Sequence, residues 1–196
     1  MIRTIGGVYQ DATSFGFLKG LQARLGCSAD IIPPIAPMGR TRHLTRRQAR
    51  IAWEYFAKKG ADVIVRLTDA DRTPWREVVQ REEEAFPAEA KPLLICAAAV
   101  ENIEDWLALD LPHLAKALSI DLNELADPAH RTGRIKRGLA MARSANEGKS
   151  DVVARLISQA PQDVFRRWLQ DESLRRFYQD CRAAAAQHDC PVPNEL

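Results

Sequence analysis

Val63-Ile64-Val65-Arg66-Leu67-Thr68-Asp69-Ala70-Asp71 is a run of β-branched and aliphatic residues that ends in two carboxylates one residue apart. Gly60 precedes the run and Thr73-Pro74 follows it, so the stretch reads as a buried strand, Val63–Asp71, of an α/β sheet. Sheets of this kind place their chemistry beyond the carboxyl ends of the strands. Two carboxylates this close repel each other unless a proton or a cation stands between them, which points to a hard divalent ion such as Mg²⁺ or Mn²⁺ at Asp69 and Asp71. The alternative is plain helix capping, since Asp is common where a strand turns into a helix.

Strand-like and helix-like segments alternate on both sides of that run. Ile2 to Tyr9 is a glycine-bearing strand, and Ser14 to Leu25 a helix with Phe15, Leu18, Leu21 and Leu25 on one face and Gly26 past its end. Ala29 to Ile32 is a short strand, and Pro33 to His43 a loop rich in proline and arginine. Thr45-Arg46-Arg47-Gln48 has the spacing of a capping box and opens a helix that runs to Lys59. After the acidic pair, Thr73 is the expected N-cap of a helix that begins at Pro74 and runs to Glu84. A fourth strand, Lys91 to Ala99, and a helix, Asn102 to Asp110, complete the alternation. The order β-α-β-α-β-α-β-α predicts a four-stranded, mostly parallel sheet with helices on both faces over residues 1–110. Beyond Pro112 only helical periodicity remains, over Pro112 to Leu118, Gly133 to Ala142, Ser150 to Ala160, Gln162 to Leu169 and Ser173 to His188. Residues 111–196 therefore read as a helical C-terminal extension, with Ser144 to Lys149 as a connector.

Composition narrows the function. The 196 residues carry 28 Lys and Arg against 26 Asp and Glu, so nucleic acid would have to be bound by a local patch and not by bulk charge. Two basic groups qualify: Arg40, Arg42, His43, Arg46, Arg47 and Arg50 around the proline-rich loop, and His130, Arg131, Arg134, Lys136 and Arg137 around Gly133. Each also reads as a solvated face, and Arg50 stands four residues from Glu54, the spacing of a helix ion pair. The four cysteines, Cys27, Cys96, Cys181 and Cys190, form no C-x-x-C pair and read as reduced thiols of a cytoplasmic protein. No apolar stretch reaches the about 20 residues that span a bilayer. Phosphate-binding loops, dinucleotide-binding glycine motifs and nucleophile elbows are missing. Trp53, Trp106 and Trp168 fall in helical apolar patterns, whereas Trp75 opens a helix beside the acidic pair.

A second acidic cluster, Glu101, Glu104 and Asp105, follows the Leu93 to Ala99 run. In a parallel sheet the ends of neighbouring strands lie together, which brings Glu104 toward the ion expected at Asp69 and Asp71; equally, all three acids suit the positive end of the following helix.

The short first strand with its aliphatic helix, the acid-x-acid pair after the third strand and Ile103-Glu104-Asp105-Trp106-Leu107-Ala108-Leu109-Asp110 together resemble a Toprim domain, the catalytic fold of topoisomerases, DnaG-type primases and overcoming-lysogenization-defect nucleases. The last segment is similar to the IEAWLLAD signature of small bacterial Toprim-like proteins encoded beside ABC-class ATPases in anti-phage loci. The resemblance covers residues 1–110 and extends more weakly through Gly148-Lys149-Ser150. It implies a nuclease dependent on Mg²⁺ or Mn²⁺ and acting on DNA or RNA, within a defence complex containing an ABC-class ATPase and with room for self-association. It also implies that Asp69 and Asp71 ligate the metal, that Glu104 completes or orients the site, and that Gln10 or Asp11 faces the scissile phosphate. One departure stands out: Gln10 occupies the place of the family glutamate, and an amide carries no charge for a second metal. A catalytically degenerate Toprim-fold subunit with a structural or sensor role is the competing expectation.

Overall fold

A computed structural model describes residues 2–34, 43–144 and 147–192. Four strands, β1 (Thr4–Tyr9), β2 (Asp30–Ile32), β3 (Val63–Asp69) and β4 (Leu94–Ala99), form one sheet in the order β2-β1-β3-β4, every pair parallel. The α/β sheet expected from the alternation is thus present. Its connections are helices: α1 (Ala12–Arg24), α2 (Arg46–Lys58) and α3 (Trp75–Ala85). The chain moves from β1 outward to β2, then crosses back over β1 to β3, so the winding direction reverses between β1 and β3. A crevice opens at the carboxyl ends of strands at such a reversal.

The strand alternation splits the interior into two layers. Ile5, Val65 and Leu67 face a large core shared with α1 and with the helices after residue 110, α5 (Leu111–Leu118), α6 (Leu122–Ala126), α7 (Pro128–Met141), α8 (Lys149–Ser158), α9 (Gln162–Trp168) and α10 (Glu172–Gln187). Val8 and Ile64 face a smaller core under α2, which includes Phe56 and Ala52. Arg66 also points to this second side and is fully buried; its Nε donates to Glu82 of α3 at 2.8 Å, and Glu82 is equally buried. A guanidinium inside a central strand is tolerable only with such a partner, and removing one member of a buried pair costs about 3–5 kcal/mol.

Several boundaries differ from the sequence expectation for identifiable reasons. The third strand stops at Asp69, because Asp71 (φ 48°) and Arg72 (φ 69°) are left-handed and Thr73 N–H bonds back to Ala70 C=O at 3.0 Å. Pro74, not Thr73, holds the cap position of α3. The fourth strand begins at Leu94, since Pro92 cannot donate to a ladder and residues Ala88–Leu93 form a 3₁₀ turn. The helix expected to reach Asp110 is the short α4 (Ile103–Leu107); Asp110 instead caps α5, accepting from His113 N–H at 3.0 Å. The capping box at Thr45 and Gln48 is present. Much of the proline-rich loop, with Arg40 and Arg42, and residues 145 and 146 of the expected connector lie outside the described residues.

The expectation of four reduced thiols is overturned. Cys27 and Cys190 form a disulfide with Cα atoms 5.4 Å apart, joining the end of α1 to the chain just past α10. Cys96 and Cys181 are free and buried. Sequence spacing gave no hint of the bridge because its halves are 163 residues apart and meet only through the packing of helices on the sheet. Among the described residues no helix is long and apolar enough to cross a membrane.

The helical extension is docked by α1 and α8, which lie side by side and run in the same direction. Gly16 faces Ser150 and Val153, Gly20 faces Ala154 and Ile157, and Arg24 donates to the carbonyls of Ile157 and Ala160 at 3.3 and 2.7 Å. A Cβ on Gly16 would stand 2.4 Å from Ser150 O, so the two backbones approach only because the side chain is absent. Lys19 bonds Asp151 at 2.7 Å, and the same Asp151 accepts from Gly148 N–H at the start of α8. Gly133, within α7, has nothing within 4 Å of its would-be Cβ. Gly16→Ala is therefore expected to lower the melting temperature, overpacking by about 1–3 kcal/mol against a helix gain of at most about 1. Gly133→Ala is expected to raise stability by about 0.5–1 kcal/mol, and parallel denaturant titrations read both.

Candidate functional site

The crevice between β1 and β3 is lined with carboxylates from three loops. Asp69 ends β3, and its Oδ1 accepts from Ile103 N–H at the start of α4 at 3.0 Å. The β3–α3 and β4–α4 loops are bound together, Ala70 N–H to Ala99 C=O at 2.9 Å and Asp71 N–H to Glu101 C=O at 3.1 Å. Asp11, after β1, caps α1 by accepting from the Ser14 N–H and hydroxyl at 2.9 and 3.0 Å. Burial, together with the negative charges of Glu104, Asp11 and Asp71, pushes the Asp69 carboxyl up to about 7 against the opposing Ile103 hydrogen bond.

Glu104 has partners of its own. It is almost completely buried and its Oε1 accepts from the Thr13 hydroxyl at 3.0 Å. The same oxygen stands 3.5 Å from Lys149 Nζ and 3.8 Å from Lys136 Nζ. Two ammonium groups from the helical extension thus stand beside the Glu104 carboxylate. Asp69, Asp71 and Glu104 share one electrostatic field, yet among the described residues no three His, Cys, Asp or Glu side chains stand close enough to hold a metal ion as they lie. The donor chemistry nevertheless fits a hard divalent cation: Asp69, Asp71 and Asp11 offer only carboxylate oxygens.

Gln10 lies at the carboxyl end of β1, as the alignment of motifs required, but its amide donates to Thr68 Oγ1 of β3 at 2.8 Å. Asp11, one residue later, adds its negative charge to the field at Asp69. Of the expected nucleic-acid contacts, Arg46 and Arg47 are exposed in the first turn of α2, Arg134 pairs with Glu124 at 3.1 Å, and Lys136 reaches Glu104. Asp110, the last acid of the IEDWLALD segment, is structural: Arg167 and the His113 N–H hold its carboxyl below the usual range despite burial. Trp106 of the same segment is buried between Phe17 and Phe177 and donates to Ser173 Oγ at 2.9 Å, which anchors α4 and so Glu104.

Sequence reasoning passed over Thr13 and Lys149. A usable signal existed for Lys149: a cation as the first residue of a helix opposes the helix dipole and needs a reason to be there.

The site thus belongs to an α/β protein with an acidic crevice at the switch point of its parallel sheet and two lysines brought to its rim. Comparison with protein-family models, with curated proteins and with solved structures finds no match.

The raised Asp69 carboxyl dictates a pH dependence. Because the folded chain holds this proton up to about pH 7 and the unfolded chain releases it near 3.8, the contribution of Asp69 to stability declines as pH rises between those values and stays unfavourable above them. Asp69→Asn, which keeps an oxygen for Ile103 N–H, is expected to melt higher than wild type at pH 8, with the gap closing toward pH 4. Mg²⁺ or Mn²⁺ should raise the wild-type melting temperature more than that of Asp69→Asn.

Proposed function

We propose that the chain is a phosphodiester-cleaving enzyme of the Toprim type, dependent on Mg²⁺ or Mn²⁺ and acting on DNA or RNA. The reading is carried by one observation: the acids that follow β1, β3 and β4 act together on Asp69, and one of them, Glu104, draws two lysines of the helical extension to its carboxylate. Carboxylates alone repel a phosphate, and lysines alone bind it without activating water; a site that does both needs the two together. Asp69, with Asp71 and Asp11, would hold the cation, which supplies charge neutralisation and a more acidic bound water. Lys149, three-quarters buried, and the more exposed Lys136 are placed to neutralise the phosphate oxygens. The Thr13 hydroxyl and the anchored α4 hold Glu104 so that the lysines stay at the rim. Ile103 N–H fixes the rotamer of Asp69. The family resemblance adds an ATPase partner within a bacterial defence complex.

A second reading is a Toprim-like structural subunit without cleavage, favoured by Gln10 in the glutamate position and by the two lysines already paired with Glu104. The readings part in a cleavage assay with labelled DNA and RNA in Mg²⁺, Mn²⁺ or EDTA. The enzymatic reading expects cation-dependent cleavage that falls by about 100-fold or more in Asp69→Ala and by about tenfold or more in Lys149→Ala. Wild-type protein that is folded by thermal shift, binds the substrate and leaves it intact in both metals would favour the structural subunit.

A further inference from the structure

Beside the acidic crevice lies a second, cationic cleft of about 360 Å³, formed where the start of α3 meets the first turns of α10. Its lining is Trp75, Arg76, Glu172, Arg175, Arg176 and Gln179. Trp75 is half-buried, with the Arg76 guanidinium 5.0 Å and the Arg176 guanidinium 6.0 Å from its ring centroid. Arg76 pairs with Glu172, and Arg176 with Glu83 at 3.4 Å and Asp180 at 3.7 Å. Among the described residues no acid pairs with Arg175, although it is half-buried and lines the cleft. The lining therefore holds three guanidiniums against one carboxylate, around an indole. Trp75 is four residues beyond Asp71, which limits the separation of their Cα atoms to about 14 Å.

We propose that this cleft is a stacking subsite for one nucleotide of a single-stranded nucleic acid whose neighbouring phosphate lies in the acidic crevice. The inference rests on the nucleic-acid reading above and names how the strand is held. An indole and planar guanidiniums offer a stacking surface to any base, and stacking of this kind is tolerant of sequence. When a base takes the ring face, a displaced guanidinium is freed to grip phosphate with its paired N–H groups. Arg175 meets the backbone without giving up an existing ion pair. The Gln179 amide presents both a donor and an acceptor to the base edge. The β3–α3 turn, with Asp71 and Arg72 in left-handed conformation, sets the direction in which α3 leaves the crevice and so the spacing of the two sites.

The test is fluorescence anisotropy of labelled oligo-dT and oligo-U 12-mers in Ca²⁺, a hard cation that takes the same carboxylate oxygens, with the oligonucleotides checked intact on a gel and both sugars tried so that DNA and RNA are distinguished. Trp75→Ala is expected to weaken binding by about fivefold or more, while Trp75→Phe stays within about twofold. Arg175→Ala, checked as folded by thermal shift, is expected to weaken binding and to lower the slope of log K against log salt by about 0.7. Wild-type binding that neither Trp75→Ala nor Arg175→Ala alters would overturn the subsite alone. If the wild-type chain binds neither oligonucleotide, the subsite and the nucleic-acid reading fall together.

Discussion

The contact between α1 and α8 holds the candidate site together. Gly16 and Gly20 let the two backbones touch, and the parallel run of the helices then places their N-termini side by side. Thr13 comes from one helix start and Lys149 from the other, and both reach Glu104 Oε1, so residues 136 positions apart in the chain become neighbours. Asp151 reinforces this by capping its own helix and binding Lys19 of the other. Had the helices run antiparallel, the same glycines would have packed as well, but Lys149 would stand at the far end of the sheet.

Opposing charges are handled differently on the two sides of the sheet. Under α3, Arg66 and Glu82 are matched, fully buried and closed. Toward the crevice, Asp69 sits among other acids with an N–H from Ile103 as compensation. A matched buried pair serves to fix how α3 lies on the sheet, whereas a crowded set of like charges leaves electrostatic work undone, which a cation or proton can complete. The contrast separates the charge that secures the fold from the charge available to chemistry.

The parallel sheet was legible because its cause is local: strand periodicity, glycine and proline punctuation and one capping box are each contained within a few residues. Asp69 and Asp71 were legible as a pair for the same reason, and Gln10 was placed at the right strand end. What escaped came from long-range packing. The Lys149 and Lys136 ion pairs with Glu104 depend on the docking of helices that sequence periodicity describes only as amphipathic. Asp110 looked like part of an acidic signature and is a helix cap tied to Arg167, a distinction set by a residue 57 positions away.

The bridge between Cys27 and Cys190 has a topological consequence. It closes the chain from Cys27 to Cys190, including β2, β3, β4 and most of the helices, into a covalent ring from which only β1, α1 and the last residues project. A single backbone cut anywhere inside that ring leaves one molecule of undiminished mass, which separates into two fragments only after reduction. Such a nicked chain keeps both helix starts tethered to the same sheet, so peptide continuity and integrity of the crevice become separable properties of this protein.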